Sequence, residues 1–303
     1  MSIHLADNES RTAAHGIVWF GAGVNVVLAL GKLLAGILGR SNALVADGVH
    51  SLSDLATDAV VLISLRLSRK PVDSSHDFGH GKMETLGAAL VGIALISAGT
   101  AILWSAVNTV IQAVDGNIPP RPEWAALIVA LVSIAGKEGL FRLTLRAARK
   151  HRSNAIAANA WHHRSDAFSS IATTVGILGA LLLGPQWRVL DPIAAIVVSA
   201  LIFQAAVKII KESIDELVEK SLDKNTEDEI VRRVAAIGGA NRPHSLRTRK
   251  IGNTVAVNLH VLVPPSLRVD EAHEISTEVE KEIKEMFGPE AFVSVHIEPL
   301  TDR

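Results

Sequence analysis

Residues 46–54 read ADGVHSLSD inside one long apolar stretch, and residues 160–166 read AWHHRSD inside another. His50 and Asp54 are four positions apart, as are His162 and Asp166, so each pair shares one helix face. Two such helices that converge would offer one cation two imidazoles and two carboxylates. That ligand set suits four-coordinate Zn²⁺, and Fe²⁺, Co²⁺, Mn²⁺ or Cd²⁺ use overlapping ligands. The alternative interpretation is helix-packing hydrogen bonds or a lone buried ion pair, which a second pair at matched spacing disfavours.

The apolar residues around these motifs form six long segments before about residue 210. They raise the apolar share of the 303 residues to 49%, which is high for a soluble protein. Each segment is near or above the ~20 residues that a bilayer-crossing helix needs. The sequence therefore predicts a cytoplasmic tail over residues 1–14 and an all-α bundle of six transmembrane helices over residues 15–211. The predicted spans are 15–38, 42–65, 84–114, 122–145, 155–184 and 189–210.

Basic residues between the spans predict the orientation. They gather in the 2–3 and 4–5 loops and after the sixth span, whereas the opposite loops hold only Arg40, Arg121 and Arg188. Because basic loops stay in the cytoplasm, both termini are expected there. The formal net charge of −1 gives no support for a nucleic-acid partner. The absence of cysteine excludes disulfides and thiolate metal ligands.

Other ionisable residues lie inside the predicted spans. Asp47 and Asp58 extend the stripe of the first motif, and they line either a water-filled route to the site or a solvated cavity wall. His163 points about a quarter turn away from its neighbour His162 and is excluded from the site. In the fourth span, Lys137 and Glu138 are expected to form an internal charge pair. The 2–3 loop adds a cluster of one acid and two imidazoles, Asp73, His76 and His80, which is either a metal site or a solvated charged loop.

Beyond residue 211 the pattern becomes that of a charged, soluble domain, predicted over residues 212–303. Apolar residues at helical spacing alternate with runs at strand spacing, and Gly252-Asn253 is a hairpin signal. The order α-β-β-α-β predicts a small α+β domain with helices on one face of a sheet. The predicted elements are a helix over 226–237, strands over 244–250 and 254–263, a helix over 270–287 and a strand over 291–298.

This domain contains further potential ligands. His296 and Glu298 share one face of the last strand, and His260 lies off the most apolar face of its own strand. His244 and His273 add two imidazoles. Scattered histidines in a soluble domain are ordinarily surface residues, so these positions alone leave the metal-site interpretation open.

On these motifs the chain resembles the cation diffusion facilitator family, and it is similar to its bacterial zinc and ferrous-iron efflux members. The resemblance covers nearly the whole chain: the six spans, the paired spacings, the loop motif and the C-terminal domain, which it implies is ferredoxin- or metallochaperone-like. It implies that His50, Asp54, His162 and Asp166 form the transport site. Some bacterial members have aspartate where this chain has His50, a departure that favours zinc.

The resemblance implies other roles as well. Asp73, His76 and His80 would form a second, surface-accessible zinc site, and Lys82 would form a salt bridge with Glu219. The family's cytoplasmic two-metal site, at the junction of two protomers, would fall on residues of the C-terminal domain. There Glu298 stands where some members have aspartate, and Ile297 replaces a polar residue. The corresponding positions are His244, His260, His273, His296 and Glu298.

The predicted function is therefore that of a homodimeric divalent-metal/proton antiporter in the lipid bilayer, and not that of an enzyme. Zn²⁺ is the expected substrate and structural ligand, with protons as counter-ions, because imidazoles exchange protons near neutral pH. No His-Glu-x-x-His motif of a zinc enzyme occurs in the sequence. The alternative prediction is a membrane-anchored metal sensor or scaffold that does not transport.

Overall fold

A computed structural model describes residues 2–67, 73–151 and 154–300 of the chain; the side chains of residues 2–19, 58, 61–67, 150–151, 154–159 and 162 lie outside the description. The N-terminal two thirds of the described chain is helical. A short 3₁₀ turn, Pro185–Val189, precedes the sixth helix. The helices are α1 Ser2–Leu38, α2 Asn42–Leu67, α3 Lys82–Val114, α4 Trp124–His151, α5 Asn154–Leu182 and α6 Leu190–Leu217.

Length and composition make several of these helices suitable for crossing a membrane. Among the described residues, five stretches qualify: Phe20–Leu38, Lys82–Val114, Trp124–Arg149, His163–Leu182 and Pro185–Leu217. The helix α2 is long enough, but it carries Asp47, Asp54 and Asp58 within three turns, which lowers its mean hydropathy. The predicted helical region is thus confirmed.

The first turn of α2 is capped by a residue from far along the chain. Asp191, at the start of α6, accepts hydrogen bonds from the Asn42 amide at 2.7 Å and the Ser41 hydroxyl at 2.6 Å. The backbone amides at a helix N-terminus have no partner within the helix, and a carboxylate both satisfies them and complements the helix dipole. Asp191 therefore ties α2 to α6.

Small residues allow the helices to approach closely. A Cβ atom added to Gly48 of α2 would lie 2.9 Å from the side chain of Leu33 in α1. One added to Gly176 of α5 would lie 2.4 Å from the Cβ atom of Ala194 in α6. Helices in lipid associate largely through such close packing. These contacts surround a buried cluster of Ala43, Leu44, Ala126, Leu127, Ala130, Ile177, Leu181 and Ala194.

The C-terminal residues form the predicted small α/β domain, whose elements are α7 Lys224–Ala235, β1 Asn241–Ile251, β2 Thr254–Val263, α8 Val269–Phe287 and β3 Phe292–Pro299. The strand order is β1-β2-β3, with β1 antiparallel and β3 parallel to β2. Asp223 caps α7 by accepting from the Thr226 amide. The apolar faces of α7 and α8 bury Ile230, Val234, Val279 and Ile283 against Val257, Leu259 and Val261 of β2.

The chain divides into two compact units. The first comprises Met1–Ala59 and Val91–Lys208, and the second comprises Val60–Leu90 and Ile209–Arg303. The second unit thus joins the start of α3 and the end of α6 to the α/β domain.

Candidate metal sites

A buried polar cluster connects α1, α2 and α5 in the first unit. The Lys32 ammonium lies 2.8 Å from Asp47 Oδ2, and neither side chain is exposed. Lys32 also donates to the hydroxyls of Ser51 and Ser170, at 3.0 and 2.9 Å. The Ser170 hydroxyl in turn donates to Asp47 Oδ1 at 3.2 Å. Buried charges require such partners, so this network fixes one face of α2 against one face of α5.

The predicted ligands lie next to this contact in sequence. His50 and Asp54 follow Asp47 on α2, and both are partly buried. Asp166 precedes Ser170 by four positions on α5 and is 5% exposed. The side chains of His162 and Asp58 lie outside the described residues.

Asp166 is bound to a lysine. The Lys137 ammonium of α4 lies 2.7 Å from Asp166 Oδ2, and these side chains are 3% and 6% exposed. The expected pairing of Lys137 with Glu138 is therefore wrong. Adjacent helix positions point in different directions, so Glu138 instead contacts Arg142 on an exposed face of α4, at 2.7 Å.

His163 is buried and faces α1. A Cβ atom added to Gly21 of α1 would lie 3.7 Å from its Nε2 atom. The side chain is only 4% exposed. His163 thus lies near α1, whereas Asp166 of the same helix contacts Lys137 of α4.

The cluster of Asp73, His76 and His80 is compact. Asp73 lies 3.2 Å from His76 Nδ1 and 3.5 Å from His80 Nε2, and the two imidazole rings are 4.1 Å apart. One ligand atom from each residue falls within 4.8 Å of the others, a spacing that one metal ion could bridge. Hydrogen bonds from the Ser75 hydroxyl and amide, and from His76, hold the pKa of Asp73 well below its usual range. Asp73 is thus ionised throughout the neutral range.

A second compact cluster lies on the sheet of the α/β domain. The strand register sets His244 of β1 opposite His260 of β2, and His260 beside His296 of β3. Glu298 lies 2.8 Å from His260 Nδ1 and 3.3 Å from His244 Nε2. Ligand atoms of His244, His260 and Glu298 all lie within 4.8 Å of one another. His296 is 3.7 Å from Glu298 and completes the row.

The hydrogen bond from His260 lowers the pKa of Glu298, and the nearby imidazoles of His260, His244 and His296 act in the same direction. An ionised carboxylate among three imidazoles has the donor chemistry that zinc uses. His273 is on α8, exposed, and outside the cluster that the described residues form.

Near the cluster of Asp73, His76 and His80, the start of α3 and the end of α6 contact the α/β domain, all within the second unit. Glu219 lies 3.1 Å from Lys82 and 3.7 Å from Arg249 of β1. The hydrogen bond from Lys82, followed by the charge of Arg249, lowers the pKa of Glu219. Glu216 of α6 accepts from the Thr85 hydroxyl at 2.6 Å and from the Gly252 amide at 2.7 Å.

Close backbone packing reinforces these polar contacts. Gly252, at the β1–β2 turn, has a positive φ of 60°. An added Cβ atom there would lie 2.8 Å from the Gly81 carbonyl oxygen, and one on Gly81 would lie 2.6 Å from the Ile251 carbonyl oxygen. Phe78 of the loop stacks edge-on against Phe292 of β3, with 5.4 Å between ring centroids. The residues just before α3 therefore contact the strands that carry the His244, His260 and Glu298 cluster.

Two of the buried polar residues were not anticipated. Lys32 is the only charged residue in the predicted span 15–38, a signal that marks functional candidates in membranes. Ser170 repeats the four-residue step beyond Asp166. Nothing in the sequence alone joins these residues to Asp47.

The fold and these clusters define a multi-helix membrane protein with several groups of metal-ligand residues. Residues 18–218 match the family described as "Cation efflux transmembrane domain", and residues 222–300 match "Cation efflux protein, cytoplasmic domain". The chain therefore belongs to the cation efflux family, which confirms the resemblance seen in the sequence.

Individual relatives show the same relationship. "Metal tolerance protein C1" of Arabidopsis thaliana is 36% identical over 92% of this chain and 61% of its own length. "Manganese efflux system protein MneP" of Bacillus subtilis (strain 168) is 33% identical over 91% of this chain and 92% of its own. The chain thus spans about three fifths of the first relative and most of the second. A solved MamM CTD variant, 20% identical, aligns with a TM-score of 0.25 over 26% of this chain and 100% of that one.

Proposed function

We propose that this protein exports a divalent metal ion from the cytoplasm in exchange for protons, and that His50, Asp54, His162 and Asp166 bind the ion. The observation that carries the proposal is the direct contact between Asp47 of α2 and Ser170 of α5. Successive crossings of a bilayer alternate in direction, so α2 and α5 are antiparallel. Moving inward from the contact along either helix leads to the proposed ligands.

The proposed ligands on the two helices lie at similar depths along the bundle axis. At 1.5 Å per residue, His50 is about 4.5 Å beyond Asp47, and Asp166 is about 6 Å beyond Ser170. By the same rule Asp54 is about 10.5 Å from Asp47, and His162 is about 12 Å from Ser170. The two histidine–aspartate pairs thus face each other at matched depth.

The proton coupling follows from the chemistry of the ligands. A metal ion needs neutral imidazoles and ionised carboxylates, so its binding expels protons. Imidazoles take up protons near neutral pH, and reprotonation on the outer side would release the ion. The inward proton gradient would then drive export from a bacterial inner membrane, with both termini in the cytoplasm.

Zn²⁺ is the proposed principal substrate because two imidazoles and two carboxylates suit its four-coordinate geometry. Mn²⁺ is the first competitor, since relatives carry the name "Manganese efflux system protein". Fe²⁺, Co²⁺ and Cd²⁺ are further candidates with overlapping ligand preferences.

The Asp73 and Glu298 clusters are proposed as accessory metal sites that respond to cytoplasmic metal. The match to the family's cytoplasmic domain supports their placement in a homodimer. Contacts of Gly81 and Phe78 with the β-strands give a physical route by which metal at either cluster would act on the ends of α3 and α6. The same clusters support the second candidate function, a metal sensor without transport.

Flux of Zn²⁺ and Mn²⁺ into proteoliposomes tests the proposal, with internal pH recorded by a trapped dye. We expect metal uptake to be accompanied by proton movement in the opposite direction. Asp54→Asn should abolish both, whereas His273→Gln, an exposed histidine outside the clusters, should leave both unchanged. Metal binding to the wild-type protein without flux would favour the sensor, and retained flux in Asp54→Asn would refute the site assignment.

A further inference from the structure

Lys137 contacts one of the carboxylates proposed to bind the transported ion. Its Nζ atom is 2.7 Å from Asp166 Oδ2. Both side chains are almost fully buried, so little water is available to screen their charges. In this state a lysine ammonium occupies the position next to Asp166 that a metal ion would need.

The charges around this contact balance without any metal. Lys32 pairs with Asp47, Lys137 pairs with Asp166, and Ser170 links the first pair to α5 beside the second. Lys32 lies within electrostatic range of both Lys137 and Asp166. Two ammonium groups and two carboxylates sum to zero. The proposed ligand Asp54 adds one negative charge, so a divalent cation bound at the site would leave a net positive charge while Lys137 stays in place.

A zinc ion and the ammonium compete for this carboxylate, because both are cations attracted to its oxygens. Zinc binds carboxylate oxygens at about 2.0–2.2 Å, which would bring it close to an Nζ atom that is itself 2.7 Å from the same oxygen. Lysine has a flexible four-carbon stem and can swing its charge aside without moving the helix backbone.

We infer that Lys137 is a tethered counter-cation of the transport site: it neutralises Asp166 when no metal is bound and withdraws when a divalent ion arrives. The inference rests on the proposed function. Lys137 would be a positioning residue. Its charge would determine the rate at which the metal-free site changes between its inward-facing and outward-facing states. With metal bound, the ion itself supplies the compensating charge.

The inference separates two modes of transport. Net export requires the metal-free site to return, a step in which Lys137 would compensate Asp166. Exchange of metal for metal across the membrane does not require the metal-free site to cross between the two states. Removal of the lysine charge should therefore slow net transport and spare exchange, and it should also tighten metal binding because a competing cation is gone.

The test compares Lys137→Met with wild type in proteoliposomes, using Zn²⁺ as the probe. Net uptake is driven by a proton gradient, and exchange is measured as entry of radioactive zinc at equal zinc concentrations on both sides. We expect net uptake to fall by about tenfold or more, exchange to stay within about twofold, and the half-saturating zinc concentration for exchange to fall about tenfold, typical sizes for a coupling between two binding events. The matched control is Arg142→Gln, which removes an exposed cation from the same helix.

Equal losses of net uptake and exchange in a folded variant would overturn the inference, as would two unchanged rates. Wild-type protein without either flux would instead refute the proposed function. Lys137→Gln, which keeps a hydrogen-bond donor for Asp166, is measured alongside in case Lys137→Met does not fold, and the same results are expected. Failure of both neutral variants to fold, together with a folded and transporting Lys137→Arg, would assign the lysine a structural role and overturn the inference.

Discussion

Replacement of Asp47 by asparagine should destabilise the protein strongly, because it leaves the Lys32 ammonium buried with only uncharged partners. The two charged groups are 2.8 Å apart, and both side chains are fully buried. Removing one member of such a pair typically costs about 3–5 kcal/mol, since the remaining charge keeps its desolvation penalty and loses its compensating partner. The Ser51 and Ser170 hydroxyls still accept from Lys32, which places the expected loss near the lower end of that range.

The double variant Lys32→Met/Asp47→Leu should lose less free energy of unfolding than Asp47→Asn alone, because neither member of the pair is left as a buried, unpaired charge. Reversible unfolding by sodium dodecyl sulphate in mixed micelles would measure each free energy of unfolding. Arg142→Gln serves as the control, since its exposed pair with Glu138 should contribute less than about 1 kcal/mol. The reasoning fails if Asp47→Asn lowers the free energy of unfolding by less than about 1 kcal/mol, or if the double variant loses more than Asp47→Asn does.

Three further predictions concern the second unit. Glu298→Gln should abolish zinc-dependent protection of the strands from hydrogen exchange, whereas His273→Gln should retain it; equal protection in both would contradict the assigned cluster. Gly81→Ala should lower the unfolding temperature of the full chain, because its added Cβ would lie 2.6 Å from a hairpin carbonyl, whereas Gly23→Ala, with open space around it, should have little effect. Ile283→Ala should lower the free energy of unfolding by about 2–5 kcal/mol, because the core buries this side chain completely. A smaller loss would show that neighbouring side chains close the cavity, contrary to this prediction.

The pH dependence of Glu298 has a definite sign. Hydrogen bonding to His260 lowers the pKa of this carboxyl from its ordinary value of 4.5. Its ionised form therefore stabilises the folded state above that ordinary value, and the stabilisation is lost as the pH falls through the lowered pKa. Wild type and Glu298→Gln should accordingly differ in unfolding midpoint at neutral pH and converge in acid. A difference that persisted at pH values well below the lowered pKa of Glu298 would contradict the assigned contact.

The sequence predicted the fold well where one periodic signal dominated. The α/β domain has the expected order, and its boundaries lie within a few residues of the predicted ones, because alternating valines and the Gly252-Asn253 turn leave few alternatives. The parallel pairing of β2 with β3 was not predicted. Strand order depends on where α8 packs, which is a tertiary property.

Charge partners were harder to predict than positions. The spacing of His50 and Asp54 indicated a shared helix face, but no spacing joins Lys137 to Asp166, which is 29 positions away. Proximity in sequence suggested Glu138 instead, but consecutive helix positions point about 100° apart, and Glu138 contacts the exposed Arg142. The pairing of Lys32 with Asp47 likewise depends on how α1 and α2 pack around Gly48.

The most direct test of the transport-site assignment is the location of bound ions in crystals of the full chain grown with Cd²⁺, by anomalous scattering. We predict one peak between α2 and α5, within coordinating distance of His50, Asp54, His162 and Asp166 and separate from any peaks at the Asp73 and Glu298 clusters. Ions at those two clusters alone, with the two histidine–aspartate pairs more than about 10 Å apart, far beyond the ~2 Å of a metal–ligand bond, would contradict the assignment.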